Sequence, residues 1–167
     1  MCLHWGIIIL FFAHIIGFIG GAYNLASWVN FFQWAGLGGG VLFFYGIVWA
    51  FLRRMAIPQV RAMSKLDDYI ILLFLILISG LGLYQSAVER LFGISYSVGP
   101  WLGSIFKLQP DASMIAGAPL VNQLHVIVAL IFFSYLPFTK LVHIFSYPFA
   151  YFTRPFISMR RYVALKK

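Results

Sequence analysis

Charged residues are scarce in this chain, and acidic ones are scarcer still: Asp and Glu together account for four of 167 residues. Only 10% of the residues are charged and 62% are hydrophobic, whereas a soluble domain carries about 25% charged residues. This composition excludes a soluble globular domain. It predicts an all-α integral membrane protein, in which each helix satisfies its own backbone hydrogen bonds.

Cysteine is nearly absent as well. Cys2 is alone, so no internal disulfide can form, and no C-x-x-C-H motif is present, which excludes a covalently attached c-type haem. Internal repeats, low-complexity tracts and linkers are also missing, so residues 1–167 are predicted to form a single domain. No basic stretch precedes the first apolar run, so we interpret that run as a membrane span and not as a cleaved signal.

Four apolar stretches are long enough to cross a bilayer, which takes about 20 helical residues. The predicted spans cover about residues 3–23, 31–52, 69–87 and 120–144. Asp68 is a plausible N-cap for the third span, and residues 88–118 are predicted to be an external loop with a short interfacial helix. The tail 148–167 alternates aromatic and basic residues, which is typical of a helix on the cytoplasmic membrane surface.

Lysine and arginine are distributed unevenly around these spans. Of the twelve, only Arg90 and Lys107 lie in the predicted external loop, which leaves ten on the side of both termini. The positive-inside rule therefore predicts a multi-pass protein of the cytoplasmic cell membrane with both termini in the cytoplasm. The net charge of +8 is explained by contact with anionic membrane lipid, and no nucleic-acid partner is expected.

The four histidines are confined to two spans. His4 and His14 lie in the first span, and His125 and His143 lie in the fourth. The 18 residues between the latter two are five helical turns at about 3.6 residues per turn, so both side chains are predicted to point the same way. Ionisable side chains within a span are costly and mark functional sites by default.

Antiparallel packing of spans one and four would bring these histidines together at two depths. His4 would pair with His143 near the cytoplasmic face, and His14 with His125 near the outer face. Two facing imidazoles are the axial ligands of a six-coordinate haem iron. We therefore predict a four-helix bundle with two stacked b-type haems, whose iron ligands are His4/His143 and His14/His125.

The spacing of the two pairs fits imperfectly. On ideal helices, His4 and His14 are about 15 Å apart along the axis, whereas His125 and His143 are about 27 Å apart. Pro137 lies between the latter two and is expected to kink or shorten the fourth span.

Other roles explain the histidines less well. A lone histidine in a span can be a polar residue satisfied by a neighbouring helix, but four on two spans weaken that explanation. A proton relay needs Asp or Glu within the bilayer, and all four acidic residues lie in or beside predicted loops. A mononuclear copper, zinc or iron site needs ligands that converge on one point. The glycines at 36–40 are typical of a helix-packing face.

Three segments, together with the histidine spacings of 10 and 18, resemble a known family. They are LHWGIIILFFAHIIGFIGG, FLRRMAIPQVRAMSKLDDYIIL and LHVIVALIFFSYLPFTKLVHIFSYPFAYFTRP. They are similar to the gamma subunit of respiratory nitrate reductase, which is the cytochrome b membrane anchor of a molybdenum enzyme. In that family, the axial ligands correspond to His4 with His143 and to His14 with His125.

The resemblance implies a place in an electron-transfer chain. A member of this family oxidises quinol near the outer haem and passes electrons inward to an iron–sulfur subunit. That subunit feeds a molybdopterin subunit, where nitrate is reduced. The chain would then be the quinol-linked electron-transfer subunit of a membrane oxidoreductase, with no catalytic residue or molybdenum site of its own.

Two departures from the family pattern stand out. The family usually has one more helix before the first histidine span. Some members also use a basic residue at the quinol pocket, in the loop after the first histidine span. This chain has no Lys or Arg between His14 and Arg53. Alternative functions are the same kind of anchor in a nitrite-oxidising, heterodisulfide-reductase-like or sulfite-reduction complex. A haem-free membrane scaffold is a weaker alternative.

Overall fold

The structure, a computed structural model, describes residues 1–23, 25–92 and 98–144, without the side chains of residues 89, 90, 143 and 144. The predicted surface tail 148–167 and residues 93–97 of the predicted external loop lie outside the described residues. Within the described ranges, every regular element is helical. The α-helices are α1 (Cys2–Ala22), α2 (Ala26–Ala56), α3 (Pro58–Ala62), α4 (Leu66–Phe92), α5 (Gly99–Phe106), α6 (Ser113–Ala116) and α7 (Leu120–Tyr135).

Four of these helices are long and apolar enough to cross a membrane, which confirms the prediction of a four-span helical bundle. Helix α2 extends beyond the predicted 31–52 at both ends because the chain offers no strong helix breaker before Pro58. The residue that precedes this proline, Ile57, is extended, with φ −95° and ψ 113°, as expected where the proline ring disfavours helical backbone.

The fourth span is not the continuous helix that was predicted for 120–144. Helix α7 ends at Tyr135 and is followed by two 3₁₀ turns, Leu136–Phe138 and Lys140–Ile144. Pro137 lacks an N–H and ends the α-helix, as its position predicted. Thr139 is then extended, with φ −106° and ψ 166°. The expectation that His125 and His143 share one helical face is therefore wrong, because no continuous helix joins them.

The prediction that Asp68 caps α4 from outside is also wrong. Helix α4 begins at Leu66, so Asp68 lies in its first turn. Its Oδ2 accepts a hydrogen bond from the backbone N–H of Lys65 at 2.9 Å. An acidic residue that reaches back in this way forms one half of a capping box.

The long helices pack in series: α1 on α2, α2 on α4, and α4 on α7, with α5 lying against α1. Phe43, Ile47 and Leu72 form a core cluster between α2 and α4, and a second cluster joins α4 to α7. Among the described residues, α1 and α7 share no extensive interface. Large apolar side chains such as Trp5 and Trp49 are exposed, as expected where lipid is the solvent.

Glycines set the close approach of α1 to α2. A Cβ at Gly46 would lie 2.7 Å from the backbone N of Leu3, and one at Gly6 would lie 2.5 Å from the backbone N of Phe43. The packing-face interpretation holds for Gly39, where a Cβ would lie 2.7 Å from Ile9, but a Cβ at Gly38 would meet nothing within 4 Å. Because α1 is held this tightly, the depth of its two histidines is fixed by α2.

Candidate functional site

His125 lies on α7 and faces the backbone of α4. A Cβ placed on Gly82 would lie 3.1 Å from Cε1 of His125, so the ring rests directly against this glycine. The position of the ring is therefore defined by α4 as well as by its own helix.

One nitrogen of this imidazole is unpaired. Nδ1 of His125 is buried and has no hydrogen-bond partner within the described part of the chain. A buried polar atom without a partner costs about 1–3 kcal/mol, and such atoms call for an explanation when they occur in folded proteins. Coordination of a metal through Nδ1 would give this atom the partner that it lacks among the described residues.

His14, on α1, has a defined tautomer. Its Nδ1 lies 2.8 Å from the backbone carbonyl oxygen of Leu10. A carbonyl oxygen only accepts, so Nδ1 carries the proton and donates it, and the lone pair of the neutral ring is on Nε2. Metal-ligating histidines are typically oriented by this kind of second hydrogen bond. The side chain of His14 is exposed, and Phe18 lies edge-on to it, with ring centroids 5.6 Å apart.

His14 and His125 lie on helices that are connected through α2 and α4, since α1 packs on α2, α2 on α4 and α4 on α7. Gly40 of α2 relates the levels of α1 and α4. A Cβ added at Gly40 would lie 3.0 Å from Leu83 of α4 and 3.8 Å from Leu10 of α1. Leu83 follows Gly82, and Leu10 accepts the hydrogen bond of His14. Gly82, against which His125 rests, therefore lies close to the level of Leu10, and the pairing of His14 with His125 stays a prediction.

The separation of α1 from α7 suits this pair. Two imidazoles with an iron and a macrocycle between them cannot be accommodated where two helices pack backbone to backbone. The two helices that carry His14 and His125 are each packed on a different partner, α2 and α4, and share no extensive interface among the described residues. No three His, Cys, Asp or Glu side chains converge in the described ranges, so the donor set here is two imidazoles. That donor set fits a six-coordinate haem iron.

The second predicted pair is described only in part. His4 is exposed on α1 and follows Leu3, which is packed against Gly46 of α2. His143 lies in the second 3₁₀ turn, Lys140–Ile144, and its side chain falls outside the described atoms. The pairing of His4 with His143 therefore stays a prediction.

A polar network that the sequence argument missed lies at one end of the bundle. We call this end, where α2 ends and α4 begins, the basic end. There Asp68 is only 5% exposed and forms a 2.8 Å ion pair with Lys140. Arg54 of α2 lies 3.9 Å from the same carboxylate. The available signal was an acidic residue just inside an apolar span, but nothing local identified Lys140, 72 residues away, as its partner.

Comparison with known proteins gives consistent matches over most of the chain. The family model described as nitrate reductase gamma subunit matches residues 1–162. The nitrate reductase gamma chain of Bacillus subtilis is 30% identical over 168 residues, which cover 95% of this chain and 75% of the relative. The respiratory nitrate reductase 2 gamma chain of Escherichia coli is 33% identical over 171 residues, covering 94% and 74%. The nitrate reductase-like protein NarX of Mycobacterium tuberculosis is 30% identical over 174 residues, covering 94% of this chain and 26% of the relative.

Proposed function

The chain belongs to the nitrate reductase gamma subunit family, and from that membership we propose that it is the di-haem cytochrome b anchor of a nitrate reductase-type complex. It is a multi-pass membrane subunit of such a complex. In this proposal it takes electrons from quinol near the outer face and delivers them to an iron–sulfur subunit on the cytoplasmic side, which serves a molybdopterin subunit.

The proposed ligands of the outer haem are His14 and His125, and those of the inner haem are His4 and His143. When bound, the haems supply one-electron transfer at two depths of the bilayer. The chain supplies position and tautomer. The Leu10 carbonyl holds the proton of His14 on Nδ1, and Gly82 sets how closely the His125 ring approaches α4.

The orientation in this proposal follows from charge. The basic end carries Arg53, Arg54 and Lys65, and Lys140 joins it through Asp68. Positively charged loops are retained in the cytoplasm, so we assign this end to the cytoplasmic side of the cell membrane. His4 is the histidine of α1 nearer this end, because its neighbour Leu3 packs on Gly46 in the second half of α2. Electrons would leave toward the iron–sulfur subunit here.

The observation that carries the proposal concerns the imidazoles of His14 and His125. Two spans each carry an imidazole that supports the proposal: that of His14 has its tautomer fixed by a backbone carbonyl, and that of His125 has a buried nitrogen without a partner among the described residues. A histidine kept only for helix packing would be expected to satisfy its polar atoms within the protein. Quinol as electron donor is proposed from family membership.

Spectroscopy of the purified complex tests this function. Two low-spin haem signals in visible and EPR spectra, with a haem-to-protein ratio of about two, are expected of two bis-histidine sites. His14→Ala should remove one signal and His143→Ala the other. A preparation without low-spin haem, or with a wild-type ratio near one, would contradict the proposal. Identification of the co-purifying subunits, and of molybdopterin in one of them, tests the proposed partners.

A further inference from the structure

The buried carboxylate of Asp68 joins three elements at the basic end. Lys140 Nζ lies 2.8 Å from each of its oxygens. The ammonium group of Lys140, in the second 3₁₀ turn, therefore contacts both oxygens of the Asp68 carboxylate on α4. The backbone N–H of Lys65 donates to Oδ2 at 2.9 Å. Arg54, at the end of α2, lies 3.9 Å from the same oxygen. We call Asp68, Lys140 and Arg54 the Asp68 network.

Arg54 is itself held in place. Its Nη1 donates a 2.9 Å hydrogen bond to Oγ of Ser64, which in turn donates to the carbonyl of Val60 at 2.7 Å. The carboxylate of Asp68 is thus surrounded by donors on α2, on the turn before α4 and on the 3₁₀ turn. A carboxylate this buried is stable only when it is paired and hydrogen-bonded, so the network fixes these elements relative to one another.

The 3₁₀ turn needs an external constraint. Pro137 ends α7, and Thr139 is extended, so a continuous helix does not define the direction of residues 140–144. The 3₁₀ hydrogen bonds that replace it have poorer geometry than those of an α-helix. Leu141 packs on the cluster of Ile71, Phe132 and Leu136, and Lys140 adds a directional contact to α4.

The network also lies near the depth of His4. Leu3, which precedes His4, packs on the core cluster that contains Leu72. Leu72 is one helical turn from Asp68 on α4, because four residues separate them. The cluster on which Leu3 packs therefore includes a residue of α4 that lies one turn from Asp68.

We propose that Asp68 and Lys140 are positioning residues for the inner haem. The ion pair holds against α4 the 3₁₀ turn that contains His143, three residues after Lys140, at the end of the bundle where α1 carries His4. This inference rests on the proposed function. It adds that the Asp68–Lys140 ion pair supports the turn that carries His143, where the α-helix has ended. The outer pair, His14 with His125, is supported separately by Leu10 and Gly82.

Substitutions of Lys140 in the intact complex test this role. Lys140→Gln removes the cation, Lys140→Arg keeps it, and Arg61→Gln removes an exposed cation of α3 at the same end as the matched control. Loss of a residue that orients a metal ligand typically lowers metal affinity by about ten-fold or more. In Lys140→Gln, the inner-haem EPR signal should fall or shift in g value and midpoint potential while the outer signal is unchanged. Lys140→Arg and Arg61→Gln should match wild type.

A second variant keeps the test decisive. Asp68→Asn retains the shape of the side chain and removes its charge, so it should alter the same inner signal as Lys140→Gln. Unchanged inner-haem content, g value and potential in both variants would overturn the inference. Equal loss of both haems in Lys140→Gln and Lys140→Arg would also overturn it, because Lys140 would then support general assembly. Absence of haem in the wild-type complex would instead refute the proposed function itself.

Discussion

The imidazole of His125 rests on Gly82: a Cβ at residue 82 would lie 3.1 Å from Cε1 and 3.6 Å from Nδ1 of the ring. Helix α4 thus has a glycine at the position where the histidine of α7 packs against it. The relationship joins two residues 43 positions apart, and it gives the candidate site a support that comes from neither of the helices carrying its ligands.

Gly82→Ala should displace His125. A methyl group at this distance requires the ring or the helix to move by a few tenths of an ångström. We expect a loss or a change in g value of the outer low-spin haem signal, with the inner signal retained, measured by EPR of the membrane complex. Gly80→Ala is the matched control, because its Cβ would make only an ordinary 3.6 Å contact with Phe44. Identical spectra for the two variants would contradict the role of Gly82.

Replacement of Gly46 by alanine should separate α1 from α2 near His4. The new Cβ would meet the backbone N of Leu3 at 2.7 Å, and backbone atoms cannot move aside as a flexible side chain can. Overpacking should lower the free energy of unfolding by about 1–3 kcal/mol and weaken the inner haem more than the outer. Thermal unfolding in detergent and haem spectra measure both effects. Gly38→Ala, which meets nothing within 4 Å, should leave haem content unchanged and should not lower stability, because alanine favours a helix more than glycine does. Equal behaviour of the two variants would refute the prediction.

A methionine ligand should raise the potential of one haem at a time. Methionine–histidine ligation gives a higher haem potential than two histidines. His14→Met should therefore raise the midpoint potential of the outer haem in a redox titration followed by visible absorbance, while the inner haem keeps its potential. His4→Met is the reciprocal variant and should raise the inner potential. The pairing would be wrong if either variant shifted both haems, or if the two variants shifted the same one.

Leu108 holds an unfavourable backbone conformation after α5. Its φ is +56°, in the left-handed region, which costs an L-residue roughly 1–2 kcal/mol, and its side chain is 88% exposed. The backbone N–H of Leu108 donates to Ile105 and that of Gln109 to Ser104, so the turn closes α5 in the position where glycine is usual. Leu108→Gly should raise the unfolding temperature of the complex, whereas Leu108→Ala, which keeps a Cβ, should not. A gain from both, or from neither, would show that strain is not the cause.

The sequence predicted the spans well because length and hydropathy alone determine them. Each apolar run had to be helical to satisfy its backbone, and Pro137 was correctly expected to shorten the last one. The distribution of four histidines over two spans is equally local, and the site that it predicts stays a prediction. These features are local, so they can be identified one segment at a time.

The parts that sequence reasoning missed depend on contacts between distant residues. Nothing near Asp68 in the chain identifies Lys140 as its partner, and nothing near Gly82 shows that His125 will lie against it. The tautomer of His14 depends on a single hydrogen bond to Leu10, which hydropathy cannot predict. The end of α7 was placed too late because the apolar run continues past Pro137 even though the regular helix does not.

The serial order of packing has a consequence for how the protein is matured. Helix α2 joins α1 to α4, α4 joins α2 to α7, and the first and last spans share no extensive interface among the described residues. In the proposed di-haem protein, the outer haem would lie between α1 and α7, so its binding would not require any of these helix pairs to separate. It would therefore be loaded after the polypeptide has entered the membrane.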